Sequence, residues 1–414
     1  MKKTFSYLIL FIGLSLAGTP VLAQLDFIGF HFKSSKRKKV SFNFELYNNL
    51  MVLQMAVNHL DTLNFVIDTG VGYTLITDPE VMKQLNLICY RQIKVTGAGG
   101  VEDGLQGYIT NVKSMSFGGI QTINHNLIVL ERDVLHLSRY AGIKIHGLIG
   151  YDLFSRFVVK IDYLSKKITF YDPKHFSYKG KGERFPLSIE EMKPYVQAEA
   201  ILSSGNIPVK LIIDTGAGHS LSLEQGAHPS IQIPNQNIPS NLGMTLSGMI
   251  QGAIGRIKKF KIGSYEMKKV ITSFPDSSSL KHVKGSSNRQ GNIGLGVLRR
   301  FMLILNYPHN EVILRPNRSF KEPFEFNTSG IDLIADTPDY KTIKVGSVRK
   351  NSPADDVGIK EGDEVISIDN YMTNDLNMNE VYKILNKKEG KKTLLLIRRK
   401  GSFFMKEIKL KQPI

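Results

Sequence analysis

The chain has one cysteine and no tryptophan in 414 residues. A single thiol cannot build an internal disulfide framework, so apolar cores must hold the domains together. Cys89 lies in the apolar stretch Leu87-Ile88-Cys89-Tyr90, which predicts a buried, inert thiol. Long apolar runs are equally scarce. The one at Tyr7 to Leu16 is interrupted by Gly18, Thr19 and Pro20 before it reaches spanning length. With Met1-Lys2-Lys3 before it and Val21-Leu22-Ala23 after it, residues 1–23 read as a secretory leader cut before Gln24. That predicts an exported protein, periplasmic or secreted. No cysteine lies near the cut, which argues against a lipid anchor. Acidic residues are outnumbered, 37 Asp and Glu against 54 Lys and Arg, giving a net charge of +17. Loss of Lys2 and Lys3 would leave +15. The excess is dispersed except at Lys36-Arg37-Lys38-Lys39, in a basic linker over residues 24–39. A solvated linker is the expectation for this run, and a peripheral contact with an anionic membrane surface is the alternative. No nucleic-acid motif is present, which argues against a dedicated nucleic-acid role. Apolar and charged fractions of 42% and 22% are ordinary for a globular protein. The length suits two or three domains.

What is present is a repeat. Phe65-Val66-Ile67-Asp68-Thr69-Gly70 and Leu211-Ile212-Ile213-Asp214-Thr215-Gly216 end two apolar runs in the same tripeptide, 214 − 68 = 146 residues apart. Residues 147–173 align without a gap with 291–317, at an offset of 144. Leu148-Ile149-Gly150 then falls on Asn292-Ile293-Gly294, and Tyr163 on Tyr307. Upstream, Leu50 to Val57 and Tyr195 to Leu202 are matching strands followed by polar turns. Residues 40–178 and 179–325 are therefore two β-rich lobes of one duplicated unit.

A carboxylate at the end of a buried strand is costly without a partner. Two in matching contexts suggest that Asp68 and Asp214 partner each other. Such a pair shares a proton, one pKa rising as the other falls. The ionised member can take a proton from water while the protonated one polarises a carbonyl. This chemistry needs no metal, no cofactor and no covalent intermediate. Gly70 and Gly216 allow the sharp turn beside each carboxylate, and the hydroxyls of Thr69 and Thr215 can fix the loop geometry. On these residues the chain resembles the aspartic peptidases of the pepsin and retropepsin type, over roughly residues 40–325. The resemblance implies an endopeptidase acting on peptide or unfolded protein, with Thr69 and Thr215 interlocking the lobes. It also implies mobile covering hairpins. Candidates are Val95 to Val101, with Gly97, Gly99 and Gly100, and Leu246 to Gly252, with Gly248. Val71 and Ala217 follow the triplets where pepsins favour a hydroxyl residue. Its absence removes a hydrogen bond from the ionised carboxylate, so activity toward mildly acidic or neutral pH is expected. His219 is expected to be a packed or surface residue, with tuning of the dyad the alternative.

Residues 328–414 change character. Ser352-Pro353-Ala354 to Gly358 reads as a short helix with a Ser cap. A strand Glu364 to Ile368, a helix within Leu376 to Lys387 and two closing strands follow. The order resembles PDZ domains of bacterial exported proteases, which bind protein C-termini by adding a strand beside a helix. The resemblance places the carboxylate loop at Gly330, Ile331, Asp332 and Leu333. The expected architecture is mainly β: a two-lobed acid-protease-like β-barrel fold plus a C-terminal PDZ domain, a β-sandwich with two helices. Because one chain carries both aspartates, a monomer suffices. The rival reading is a non-catalytic peptide-binding adaptor on the same fold.

Overall fold

The computed structural model describes residues 29–58, 60–95, 105–246, 248–280 and 288–414. The expected leader, residues 1–23, lies outside them, as do Gly97, Gly99 and Gly100. Among the described residues, no helix is long and apolar enough to cross a membrane.

Each lobe is a closed sheet, and the two sheets repeat one another. In lobe 1, Leu50–Val57, Leu60–Ile67, Gly147–Ile149, Leu75–Ile76, Ile120–Leu130 and Leu105–Phe117 pair in that order, and the last returns to the first. In lobe 2, Lys193–Leu202, Gly205–Ile213, Gly291–Ile293, Leu221–Leu223, Tyr265–Pro275 and Gly248–Ile262 do the same. The strand entering each aspartate runs parallel to a threaded partner. Ile67 faces Ile149 in one lobe, and Ile213 faces Ile293 in the other. A parallel pair needs a long crossover, which explains why the two motifs of each lobe are so far apart in the chain.

A separate six-stranded antiparallel sheet joins the lobes. At its centre Val158–Asp162 pairs with Phe301–Asn306, Val158 opposite Asn306, Lys160 opposite Ile304 and Asp162 opposite Met302. Positions 144 apart in the chain exchange places under this register, so the gapless sequence repeat becomes a local twofold axis through Lys160 and Ile304. One apolar core runs through both lobes, from Phe65, Phe154 and Phe170 to Phe260, Leu298 and Phe301. Such interior side chains each contribute roughly 1.5–3 kcal/mol on leaving water.

Two expectations are corrected. Residues 24–39 are not a linker throughout. Phe30 is buried at 1% exposure, and His31–Phe32 pairs with Ile120–Leu130 as an edge strand. Phe30 stacks near Phe117 and His125, and this apolar contact draws the segment onto lobe 1. The run Lys36 to Lys39 is exposed. Cys89 is half-buried rather than buried, between Ile88 and Tyr90 at 70% and 67% exposure. The segment runs along the barrel rim, tied by Thr110 Oγ1 to Ile88 O and by Tyr90 N to Ile109 O, so its side chains miss the core.

The C-terminal unit has its own core, including Leu333, Val365, Val381, Leu395 and Ile408. Its sheet runs Ile331–Ala335, Ile343–Val348, Glu364–Ile368, Lys392–Arg399, Ser402–Lys409. Helix Pro353–Asp356 starts at Ser352, whose hydroxyl caps Asp355 N. Helix Met378–Leu385 starts with a reciprocal capping box between Asn377 and Glu380. Arg300 fastens the connection to this unit. Its side chain is 1% exposed and donates to carbonyls of Gly296, Ser319, Phe320, Glu322 and Pro323, with Phe324 under the guanidinium.

Candidate active site

The two aspartates meet where the lobes meet. Asp68 N donates to Ile149 O and Asp214 N to Ile293 O, each at 2.9 Å, so both loops hang on their threaded strands. Glycine is required where those strands pass. A Cβ on Gly150 would lie 2.2 Å from Asp68 O, and one on Gly294 2.3 Å from His219 O.

The threonines lock the loops together. Thr69 Oγ1 donates to Ile213 O at 2.5 Å and accepts from Thr215 N at 3.0 Å. Thr215 Oγ1 donates to Ile67 O at 3.0 Å and accepts from Thr69 N at 3.1 Å. Both side chains are buried, so breaking any of these bonds leaves an orphaned polar group.

The glycines of the triplets make room for the opposite carboxylate. A Cβ on Gly216 would stand 2.3 Å from Asp68 Cγ, and one on Gly70 3.3 Å from both carboxylate oxygens of Asp214. Gly70 N also donates to Asp68 Oδ1 at 2.7 Å, and Gly216 N to Asp214 Oδ1 at 3.1 Å. Two further hairpin turns reach across the interface. Met192, at φ +62°, packs its Cε 2.9 Å from the Cβ position of Gly72, and Asn49 stands 3.9 Å from that of Gly218.

The pair is electrically unequal. Burial first, then the charge of Asp214, pushes the Asp68 carboxyl up to about 8, and Asp68 hydrogen-bonds to Asp214. Asp214 has a side-chain donor that Asp68 lacks among the described residues. Asn292 Nδ2 donates to Asp214 Oδ2 at 2.8 Å. With Nδ2 so used, Asn292 Oδ1 faces His219 Nε2 at 3.1 Å and accepts its proton. Burial holds the His219 imidazole below its ordinary range, despite the opposing pull of Asp214. His219 is therefore a neutral donor at neutral pH. A donated hydrogen bond favours the anion, and with the Asp68 carboxyl pushed up to about 8 the proton of the pair rests on Asp68. Lys193 faces both carboxylates, and burial holds its ammonium below its ordinary range.

This corrects one expectation in part. The hydroxyl missing at Ala217 is replaced from elsewhere, by Asn292, whereas among the described residues Val71 has no such substitute beside Asp68. Asn292 escaped sequence reasoning, yet a signal existed. In the gapless repeat it stands where lobe 1 has Leu148, a polar residue on a buried strand. His219, at the position of Tyr73, is a second-loop residue tied to the dyad through Asn292.

The other candidates separate. Gly248, at φ +110°, opens the return strand of the hairpin Asn237–Thr245 and Gly248–Ile262. Leu246 at its tip packs on lobe 1 against a cluster of Leu50, Val66, Leu75, Ala141 and Leu148. The lobe 2 hairpin therefore reaches across to the other lobe. The proposed carboxylate loop does not present free amides. Gly330 N donates to Asn327 Oδ1 at 3.0 Å, Ile331 N to Ser329 Oγ at 3.2 Å and Leu333 N to Tyr382 Oη at 2.8 Å. Asp332 accepts from Ser347 Oγ at 2.8 Å. Side chains within the domain hold the groups that a ligand carboxylate would need. Among the described residues, no three His, Cys, Asp or Glu side chains gather as a metal site.

A twofold pair of barrels with two carboxylates on facing loops defines a two-lobed acid-protease type of protein. The aspartyl protease family matches residues 53–153 and 199–297, once in each lobe, and a PDZ domain matches 344–399. Both Asp-Thr-Gly loops fall within the segments matched to the aspartyl protease family, and the C-terminal unit holds the PDZ match. Among solved structures, the aspartic proteinase from Irpex lacteus is 14% identical, with a TM-score of 0.42 over 69% of this chain and 99% of that one. The photosystem II D1 C-terminal processing protease is 17% identical, with a TM-score of 0.20, over 21% of this chain and 23% of that chain's length. No curated protein matches.

Proposed function

We propose that the protein is an exported aspartic endopeptidase whose dyad is Asp68 and Asp214. The observation that carries this reading is the meeting of the two carboxylates across the lobe interface, with a Cβ on Gly216 excluded by Asp68 Cγ at 2.3 Å. Asp214, ionised beside Asn292, takes a proton from a water between the carboxyl groups. The water oxygen adds to the peptide carbonyl carbon, and Asp68 gives its proton to the carbonyl oxygen. In the tetrahedral intermediate the carboxyl groups have exchanged protonation states. Asp214 then returns a proton to the amide nitrogen, the C–N bond breaks to release the amine, and Asp68 recovers the proton from an intermediate hydroxyl as its oxygen re-forms the carbonyl. Asp68 must be protonated for the first step, so activity extends into neutral pH and falls as the pH rises through about 8. The substrate class is peptide or unfolded protein, and the PDZ domain engages polypeptide ends.

The test is incubation of the mature protein with a mixture of unfolded proteins across pH, followed by sequencing of new termini. Asp68→Asn and Asp214→Asn are each expected to abolish cleavage while the fold persists. Cleavage by both variants sinks the dyad assignment. Absence of cleavage by the unaltered protein, with peptide binding retained, favours the adaptor reading.

A further inference from the structure

The PDZ domain's peptide groove is already filled, and part of the filling comes from lobe 1. Ile331–Ala335 is the edge strand of the PDZ sheet, and helix Met378–Leu385 stands beside it. Between them, Tyr382 Oη accepts from Leu333 N at 2.8 Å and donates to Leu333 O at 3.3 Å. This hydroxyl occupies edge groups that strand addition would use. Further along, the end of lobe 1 helix Leu137–Ala141 enters the groove. Its capping residue Gly142, at φ +75°, lies between helix and strand. A Cβ there would stand 2.6 Å from Met378 Cγ and 3.8 Å from Ala335 Cβ. Around this contact, Asn48 N donates to Asn379 Oδ1 at 2.9 Å, and Asn379 Nδ2 donates to Leu46 O. Arg139 pairs with Asp336 at 3.9 Å.

The same helix faces the cleft. The Tyr140 hydroxyl lies 3.3 Å from the Cβ position of Gly218, four residues after Asp214. Ala141, Leu137 and Ile143 belong to the apolar cluster that receives Leu246, the tip of the lobe 2 hairpin. One short segment therefore touches the PDZ groove and the second aspartate loop and shares an apolar cluster with the tip of the lobe 2 hairpin.

We propose that the PDZ groove is the dock for lobe 1 residues 137–142, and that this docking latches the hairpin over the cleft. A polypeptide that adds a strand to Ile331–Ala335 has to break the Tyr382 bonds and displace the helix end. Groove occupancy and access to the dyad are then one equilibrium, and coupling of this kind is reciprocal. The consequence for activity rests on the peptidase reading above, but the latch itself does not.

The experiment compares the full chain with an Asp336→Ala/Asn379→Ala double variant and, separately, with Gly142→Leu. Neither touches the dyad. Amide hydrogen exchange without substrate is read at 137–142 and at 248–252, beside the hairpin tip, and a short peptide is assayed for cleavage. Both segments are expected to exchange several-fold faster in the variants, and kcat/KM is expected to rise several-fold. Faster exchange at 137–142 with none at 248–252 overturns the coupling, and unchanged exchange at both overturns the docking. A lower kcat/KM with faster exchange overturns the inhibitory sense of the latch. If no form cleaves the peptide, the peptidase reading fails while the exchange data still decide the latch.

Discussion

Replacing Asp68 by Asn makes the protonation state of the dyad measurable without any substrate. Asn keeps the shape, an acceptor for Gly70 N and a donor toward Asp214, but has no proton to lose. In the wild type the Asp68 carboxyl is pushed from 3.8 up to about 8, by burial and then by Asp214. The folded chain keeps a proton that the unfolded chain releases. A carboxyl pKa raised by folding contributes stability that is full below the unfolded value and is lost as pH rises through the folded one. The window is therefore about pH 4 to 8. At about 1.4 kcal/mol per pH unit, the loss between pH 4 and 7 is at most ~4 kcal/mol. Asp68 keeps some contact with solvent, which reduces the expectation to about 2 kcal/mol. Urea unfolding of both proteins across this range is the assay. Asp68→Asn should match the wild type most closely near pH 4 and become progressively more stable than it toward pH 8. The difference cancels the other titrating groups, including Glu224, whose carboxyl burial also raises, and Asp152, whose hydrogen bonds to His125 and Thr74 outweigh burial and lower it. Parallel stability curves would refute the argument, since the dyad proton would then not be held by the fold.

Asn292→Leu, which copies Leu148 of lobe 1, removes the donor to Asp214. A hydrogen bond to a charged group is worth about 1.5–3 kcal/mol, so kcat/KM should fall roughly ten- to a hundredfold. Ala217→Thr in the same chain should recover part of that loss, whereas a purely structural role for Asn292 would leave it unrecovered. Thr69→Val should cost about 2–4 kcal/mol in denaturant unfolding, because Thr215 N and Ile213 O lose their partner together. Thr69→Ser, which keeps the hydroxyl, should cost far less. Arg300→Met leaves the carbonyls of Glu322 and Pro323 without their donor. Its expected cost is about 3 kcal/mol, with faster proteolysis at residues 317–326 as a second readout.

Much of this protein follows from short-range pattern. The apolar strand before each Asp-Thr-Gly, the capped helices at Ser352 and Asn377, and the repeat at offset 144 are local signals set by backbone sterics and side-chain period. The pairing of the lobes was legible because a duplicated sequence implies duplicated geometry, and a twofold axis then brings like loops together. Cys89 was misread because an apolar neighbourhood in sequence does not say which side of an irregular rim segment faces the core. The edge strand at His31 was missed because its partner, Gln121, is ninety residues away. The engagement of the carboxylate-loop amides was not legible because the Asn327 side chain and the Tyr382 hydroxyl that take them lie on different elements.

Sequence alone determined that two equivalent carboxylates exist and that each ends a buried strand at a glycine turn. Tertiary structure decided which of them carries the proton. That choice depends first on the burial of Asp68 and on the charge of Asp214, and the pair differs further through Asn292, which lies 78 residues from Asp214 in the chain and donates to it from the threaded strand. It also decided what fills the PDZ groove, because Gly142 reaches Met378 only after two separately cored units have docked. Local chemistry is written in adjacent residues. The electrostatic inequality of the pair, and the contact between units, arise from distances that only the folded chain makes short.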